Sequence, residues 1–226
     1  MNGIRIIDRK CGMSTSLWKT VAGLILFSSA SLPSGADAGA GPTPDSIHIQ
    51  RCSACHYVDD KSAGPEIPNI AGQYEQYLMK ALKLFKENKR ESDTMQLIAS
   101  LHKEQELVIL AHYFAKQNPA GSPSIASPDQ TLAARGQQIY TAERIYGIAC
   151  VDCHGADAKG YVRKSPRTRA SRAIPRLAGQ QSGYLRSVLQ KYNAGQFQYG
   201  MCTMRKAGRT LSPSDIDALV EFLAGK

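Results

Sequence analysis

The chain has 226 residues, 42% hydrophobic and 21% charged, with a formal net charge of +9. That balance excludes a disordered chain and leaves room for one large or two small globular domains. A basic surplus of this size suits nucleic acid, an acidic protein patch or an anionic membrane surface, and the first segment of the chain separates these.

Arg5, Arg9, Lys10 and Lys19 precede an apolar run from Val21 to Leu32. The run is shorter than the roughly 20 residues that span a bilayer. Ala36-Asp37-Ala38 fits a small-x-small cleavage site. Residues 1–38 therefore read as a signal peptide, with the mature start near Gly39 and Met13 as an alternative initiator. The competing reading is an uncleaved anchor. Export implies an oxidising compartment, here a bacterial periplasm. Removing the four basic and two acidic residues of 1–38 leaves +7. No nucleic acid is expected there, so the charge points to an acidic partner or to peripheral contact with a membrane surface.

Next comes the pentad Cys52-Ser-Ala-Cys55-His56, then Ile67-Pro-Asn-Ile-Ala-Gly-Gln73. Tyr74, Tyr77, Leu78, Ala81, Leu82 and Phe85 recur at helical spacing. Met95 follows, then a helix with Leu107, Leu110, Ala111 and Phe114 at i, i+3, i+4, i+7. Residues 118–130 hold three prolines and few large apolar side chains, and read as a linker. Beyond it the order repeats: Cys150-Val-Asp-Cys153-His154, Ile174-Pro-Arg-Leu-Ala-Gly-Gln180, and a helix with Tyr184, Leu185, Val188, Leu189 and Tyr192. Met204 comes next, then Ile216, Leu219, Val220 and Leu223, with Ser212 and Asp215 as a helix start. The sequence shows no alternating strand pattern. The expected organisation is an N-terminal domain over 39–117 and a C-terminal domain over 131–226, both all-α and repeated in tandem.

Cys-x-x-Cys-His is the attachment signature of a c-type haem. The cysteines form thioether bonds to the porphyrin vinyls and the histidine ligates the iron. Two pentads predict two covalently bound haem c groups, held by Cys52, Cys55, Cys150 and Cys153, with His56 and His154 on the irons. A four-cysteine zinc site pairs knuckles that are usually 15–20 residues apart; here 94 residues separate them. The sixth ligand follows from the repeat. The shift of 109 residues that superposes the C-terminal helices places Met95 on Met204. Thioether opposite histidine is an electron-transfer arrangement that raises the reduction potential. Met201 competes with Met204, and a core methionine is the alternative reading of Met95.

These motifs together resemble the dihaem cytochrome c4 family, with each half similar to a class I cytochrome c. The likeness covers about residues 45–226. It implies two domains related by a pseudo-twofold axis, with Pro68 and Pro175 placing their carbonyls on the free N–H of His56 and His154. It also implies a carrier of single electrons between redox proteins, from a cytochrome or copper protein toward a terminal oxidase.

The halves differ in three ways. Little chain precedes Cys52, whereas 132–149, with Gly136 and Tyr140, offers the second half a full N-terminal helix. The second half has extra residues after His154, holding Arg163, Lys164, Arg167, Arg169, Arg172 and Arg176, a docking patch or a solvated loop. Cys202 is expected as a free, partly buried thiol, or else as a thiolate ligand replacing Met204. These features keep two alternatives open: an electron-accepting subunit of a sulfur-oxidising complex, and a thiosulfate-oxidising dihaem enzyme using Cys202. His48, His102 and His112 are expected to be satisfied or exposed side chains.

Overall fold

The computed structural model describes residues 46–56, 62–119, 127–144, 147–164, 171–199 and 201–226. The expected signal peptide and most of the expected linker lie outside them. The first half holds α1 (Ser46–His56), α2 (Glu75–Lys86), α3 (Asp93–Ser100) and α4 (Glu104–Lys116). The second holds α5 (Gln130–Thr141), α6 (Cys150–His154), β1 (Tyr161–Lys164), β2 (Ser171–Ile174), α7 (Ser182–Asn193), α8 (Cys202–Gly208) and α9 (Pro213–Ala224). Among the described residues no helix is long and apolar enough to cross a membrane.

The apolar periodicity becomes burial. Leu107, Leu110, Ala111 and Phe114 of α4 are buried, as are Ile216, Leu219, Val220 and Leu223 of α9. Helix α9 starts where the sequence places it. The Ser212 hydroxyl accepts from the Asp215 N–H at 3.1 Å, the Asp215 carboxylate accepts from the Ser212 N–H at 3.1 Å, and Pro213 opens the first turn.

Each half is closed by the same return of chain. Gly72 N–H donates to Phe114 O at 2.9 Å and Gly179 N–H donates to Leu223 O at 3.0 Å. Both glycines lie in the left-handed region, at φ +64° and +69°. A side chain at 72 would also meet the Pro119 ring at 2.5 Å.

The second half has the larger core because α5 crosses α9. Gly136 makes the crossing close: a β-carbon there would lie 2.0 Å from Ala218 O. Tyr140 packs on Phe222 with centroids 5.4 Å apart, and its hydroxyl donates to Gly155 O at 2.7 Å, tying α5 to the end of α6. The first half has no described counterpart of α5. Its core centres on Leu78, Leu110, Ala111 and Phe114.

One feature differs from the sequence reading. The basic insertion is not all loop: β1 and β2 pair antiparallel, Tyr161 opposite Ile174 and Val162 opposite Ala173. The strands are too short, and too rich in Arg and Lys, to show alternation. The hairpin leans on α2 of the first half, where the Tyr74 hydroxyl donates to Gly160 O at 3.0 Å.

Two glutamines join the halves. Gln73 Nε2 donates to Arg176 O at 3.1 Å and its Oε1 accepts from Arg176 N–H at 3.0 Å. Gln180 Nε2 donates to Asn69 O at 2.9 Å and its Oε1 accepts from Asn69 N–H at 2.7 Å. A shift of 107 residues turns one pair into the other, as an isologous contact requires. Gln73 and Gln180 are buried, so these bonds are shielded from water.

Gly136→Ala is expected to destabilise the protein by roughly 1–3 kcal/mol, because backbone rather than a flexible side chain blocks the added methyl. Chemical denaturation of the purified protein checks this; an unchanged midpoint would mean that α5 and α9 are not in such close contact.

Candidate functional site

The first pentad occupies the last turn and a half of α1, and the second forms α6. Helical geometry explains the spacing. Residues at i and i+3 share a face, so Cys52 and Cys55 stand together, as do Cys150 and Cys153; the histidine falls at i+4 on that face. All four cysteines are free thiols, available for four separate thioether bonds. Burial pushes the Cys52 thiol up to about 11, with Cys55 adding to it, and burial also raises Cys150. Among the described residues no three His, Cys, Asp or Glu side chains gather to hold a bare metal ion, so the zinc alternative is not assembled.

Each histidine is oriented by one hydrogen bond. His56 Nδ1 lies 2.8 Å from Pro68 O and His154 Nδ1 lies 3.1 Å from Pro175 O. A carbonyl only accepts, so each Nδ1 carries the hydrogen and each Nε2 keeps its lone pair for a metal. Burial lowers the pKa of both imidazoles, more than the carbonyls raise it. The donor set therefore fits a c-type haem: paired thiols and a neutral imidazole with its outer nitrogen free. The proline carbonyls stand where the resemblance implied.

Met95 and Met204 occupy equivalent positions. Ser92 caps α3, its hydroxyl accepting from Met95 N–H at 3.3 Å, and Met95 is the third residue of that helix. Met201 is the cap residue of α8 and Met204 is its third residue. Met201 thus corresponds to Ser92, and Met204 to Met95. Both Met95 and Met204 are half-buried.

Cys202 is a correction. It is disulfide-bonded, not a free thiol, and a sulfur held in a disulfide offers no thiolate to an iron. Arg205 Nη2 lies 3.3 Å from its Sγ. The basic cluster is also redistributed: Arg163 is exposed on β1, Arg176 is half-buried at the glutamine junction, and Arg167 and Arg169 lie outside the described residues.

The remaining histidines are satisfied. His102 is buried, and its Nδ1 donates to Ile98 O at 2.8 Å, which leaves Nε2 to accept from His48 Nδ1 at 3.0 Å. This pair ties α1 to the turn after α3. His112 Nδ1 is 2.9 Å from a Glu75 oxygen, between α4 and α2.

The sequence reading missed Gln73 and Gln180 as contact residues, although both end the repeated Ala-Gly-Gln and that recurrence was the available signal. It also missed Arg90, buried against Tyr184 with Nη2 2.7 Å from the Tyr184 hydroxyl. No repeat marks it, because the position 107 residues on is Phe197.

Comparison with known proteins follows the same division. The cytochrome c family pattern matches twice, over residues 46–115 and 133–225. A cytochrome c4 from Pseudomonas aeruginosa is 30% identical over 193 residues, covering 84% of this chain and 88% of that protein. The thiosulfate dehydrogenase electron acceptor of Thiomonas intermedia is 30% identical over 149 residues, covering 64% of this chain and 63% of that protein. The crystal structure of reduced cytochrome c4 from Pseudomonas stutzeri superposes with a TM-score of 0.66 at 28% identity, over 78% of this chain and 94% of that one.

The imidazole pKa shifts give a pH dependence. Folding holds His56 and His154 below their ordinary value near 6.5, so the unfolded chain takes up protons first as pH falls. The stability associated with the neutral imidazoles is complete above about pH 6.5 and declines below it. Urea unfolding at pH 7.5, 6.0 and 5.0 should show that decline; a flat profile across the interval contradicts it.

Proposed function

We propose that this chain, which belongs to the cytochrome c4 family, shuttles single electrons between redox proteins of the bacterial periplasm, toward a terminal oxidase. It carries two covalently bound haem c groups, whose irons supply the ferric–ferrous couple. The observation that supports the reading is the recurrence of one arrangement in both halves: paired thiols, an imidazole locked by a proline carbonyl, and a methionine at the third position of the next-but-one helix.

Cys52 and Cys55, and Cys150 and Cys153, would fix the haems covalently. His56 and His154 would give Nε2 to the irons, with Pro68 and Pro175 preventing ring rotation. Met95 and Met204 would fill the opposite positions. A full ligand set leaves no position for substrate and favours transfer over turnover. The two ends also present different surfaces. Leu97 of α3 and Leu101 just after it are exposed; the corresponding positions in the second half hold Lys206 and Thr210, and the basic hairpin belongs to the second half alone among the described residues. Such differences suit a separate donor and acceptor, and the +7 of the chain beyond residue 38 suits acidic partners or an anionic membrane surface.

A second reading is an electron-accepting subunit for a sulfur-oxidising enzyme, favoured by the likeness to the Thiomonas intermedia electron acceptor. The same ligands serve it. Thiosulfate alone should then leave the ferric protein oxidised, while thiosulfate with its dehydrogenase should reduce it. Reduction by thiosulfate alone would instead make the chain an enzyme.

The ligand assignment has its own test. Met95→Ala and Met204→Ala should each lower the midpoint potential of one haem and leave the other near its wild-type value. Spectroelectrochemical titration of both variants reads this. Wild-type behaviour of Met204→Ala together with a lowered midpoint in Met201→Ala would transfer the role to Met201.

A further inference from the structure

Arg90 is the only Lys or Arg buried among the described residues, at 9% exposure. The turn after α2 holds it: Arg90 N–H donates to Leu84 O at 3.0 Å and Arg90 O accepts from Gln96 Nε2 at 3.1 Å. Its guanidinium lies between two rings, 4.8 Å from the centroid of Phe85 in its own half and 5.3 Å from Phe197 in the other. Nη2 donates across the junction to the Tyr184 hydroxyl at 2.7 Å. None of the ion pairs among the described residues includes it. Burial disfavours its charged form, but the Tyr184 and Tyr77 hydroxyls outweigh that and it stays a cation.

The repeat shows how unusual this charge is. The shift of 107 residues carries Tyr77 onto Tyr184 and Gln73 onto Gln180, so those side chains come in symmetric pairs. The same shift carries Arg90 onto Phe197. Arg90 is therefore a buried cation with neither a carboxylate partner among the described residues nor a symmetry mate. Rings and hydroxyls partly offset the loss of water but do not neutralise a buried charge. An anionic group is the missing counterpart, and a haem c brings two propionate carboxylates.

We propose that Arg90 is a positioning residue shared by the two halves, which takes a propionate carboxylate as its counter-ion and raises the reduction potential of both irons. The proposal rests on the dihaem assignment. A cation stabilises the ferrous state over the more positive ferric state at any site its field reaches, and low dielectric at a buried junction extends that reach. A surface charge would be screened by salt; this one is not exposed to it.

The test uses the intact dihaem protein. Haem content is measured first, so that loss of a haem, which concerns the dihaem assignment, is kept apart from a change in potential. Arg90→Gln should lower both midpoints, each by at least a tenfold change in the ferrous–ferric equilibrium constant, or 59 mV for one electron. Arg90→Lys keeps the charge and should hold both midpoints near wild type. Tyr184→Phe removes the hydrogen bond and keeps the charge; it should lower the melting temperature without moving the midpoints. A shift of one midpoint alone in Arg90→Gln, or of neither, overturns the proposal. So does an equal drop in Arg90→Lys or Tyr184→Phe, since that would mark Arg90 as a packing residue. If Arg90→Gln does not fold, the lysine variant still decides, because lowered midpoints there contradict a role for charge.

Discussion

Two buried glutamine amides join the halves through one reciprocal contact. Each lays its C=O and NH2 against the main chain of the opposite half, at the residue next after the proline whose carbonyl orients the pentad imidazole. The segment from Ile67 to Gln73, and its repeat from Ile174 to Gln180, thus does two jobs within seven residues. One end fixes a histidine and the other fixes the neighbouring half. A displacement at the junction is felt within one turn of chain at both candidate iron ligands.

Around this symmetric centre the halves are built unequally. The second is clasped by α5 across α9 and carries the basic hairpin. The first substitutes smaller ties: the His48–His102 pair from α1 to the turn after α3, and Pro119 packed over Gly72. Its core is correspondingly smaller. Two sites with the same donors thus sit in unequal protein surroundings, and the one arginine buried among the described residues comes from the lighter half. A pair of equal irons gives electrons no preferred resting place. Unequal surroundings supply a bias without a change of ligand.

The parts legible in sequence were those that repeat or that obey a local period. The pentads, the proline segments and the faces of α4 and α9 all have a register, and Met204 was preferred to Met201 by register alone. What escaped was encoded by difference or by distance. Arg90 has no repeat partner, and nothing near it in the chain announces that it will meet Phe197 and Tyr184. Strands of four residues carry too little alternation to be seen. Cys202 was read as free by counting the cysteines beyond residue 38, whereas in the structure it is disulfide-bonded. His48 and His102 are 54 residues apart, and only the fold shows them to be partners.

The glutamines read main chain, and this has a consequence for how the halves can diverge. A symmetric contact written in side chains ties two positions together: altering one spoils the fit until the other follows. Here the groups grasped are the N–H and C=O of residues 69 and 176, which every residue but proline supplies. Asparagine stands at the first position and arginine at the second, and the main-chain pair is kept at both, although the Asn69 side chain adds its own bond to Gly179 O at 3.0 Å. A duplicated domain joined in this way keeps its alignment while its two copies drift apart in charge, loops and partners. The grip is common to both halves, and the hairpin, the charge and the helix before the second pentad have specialised around it.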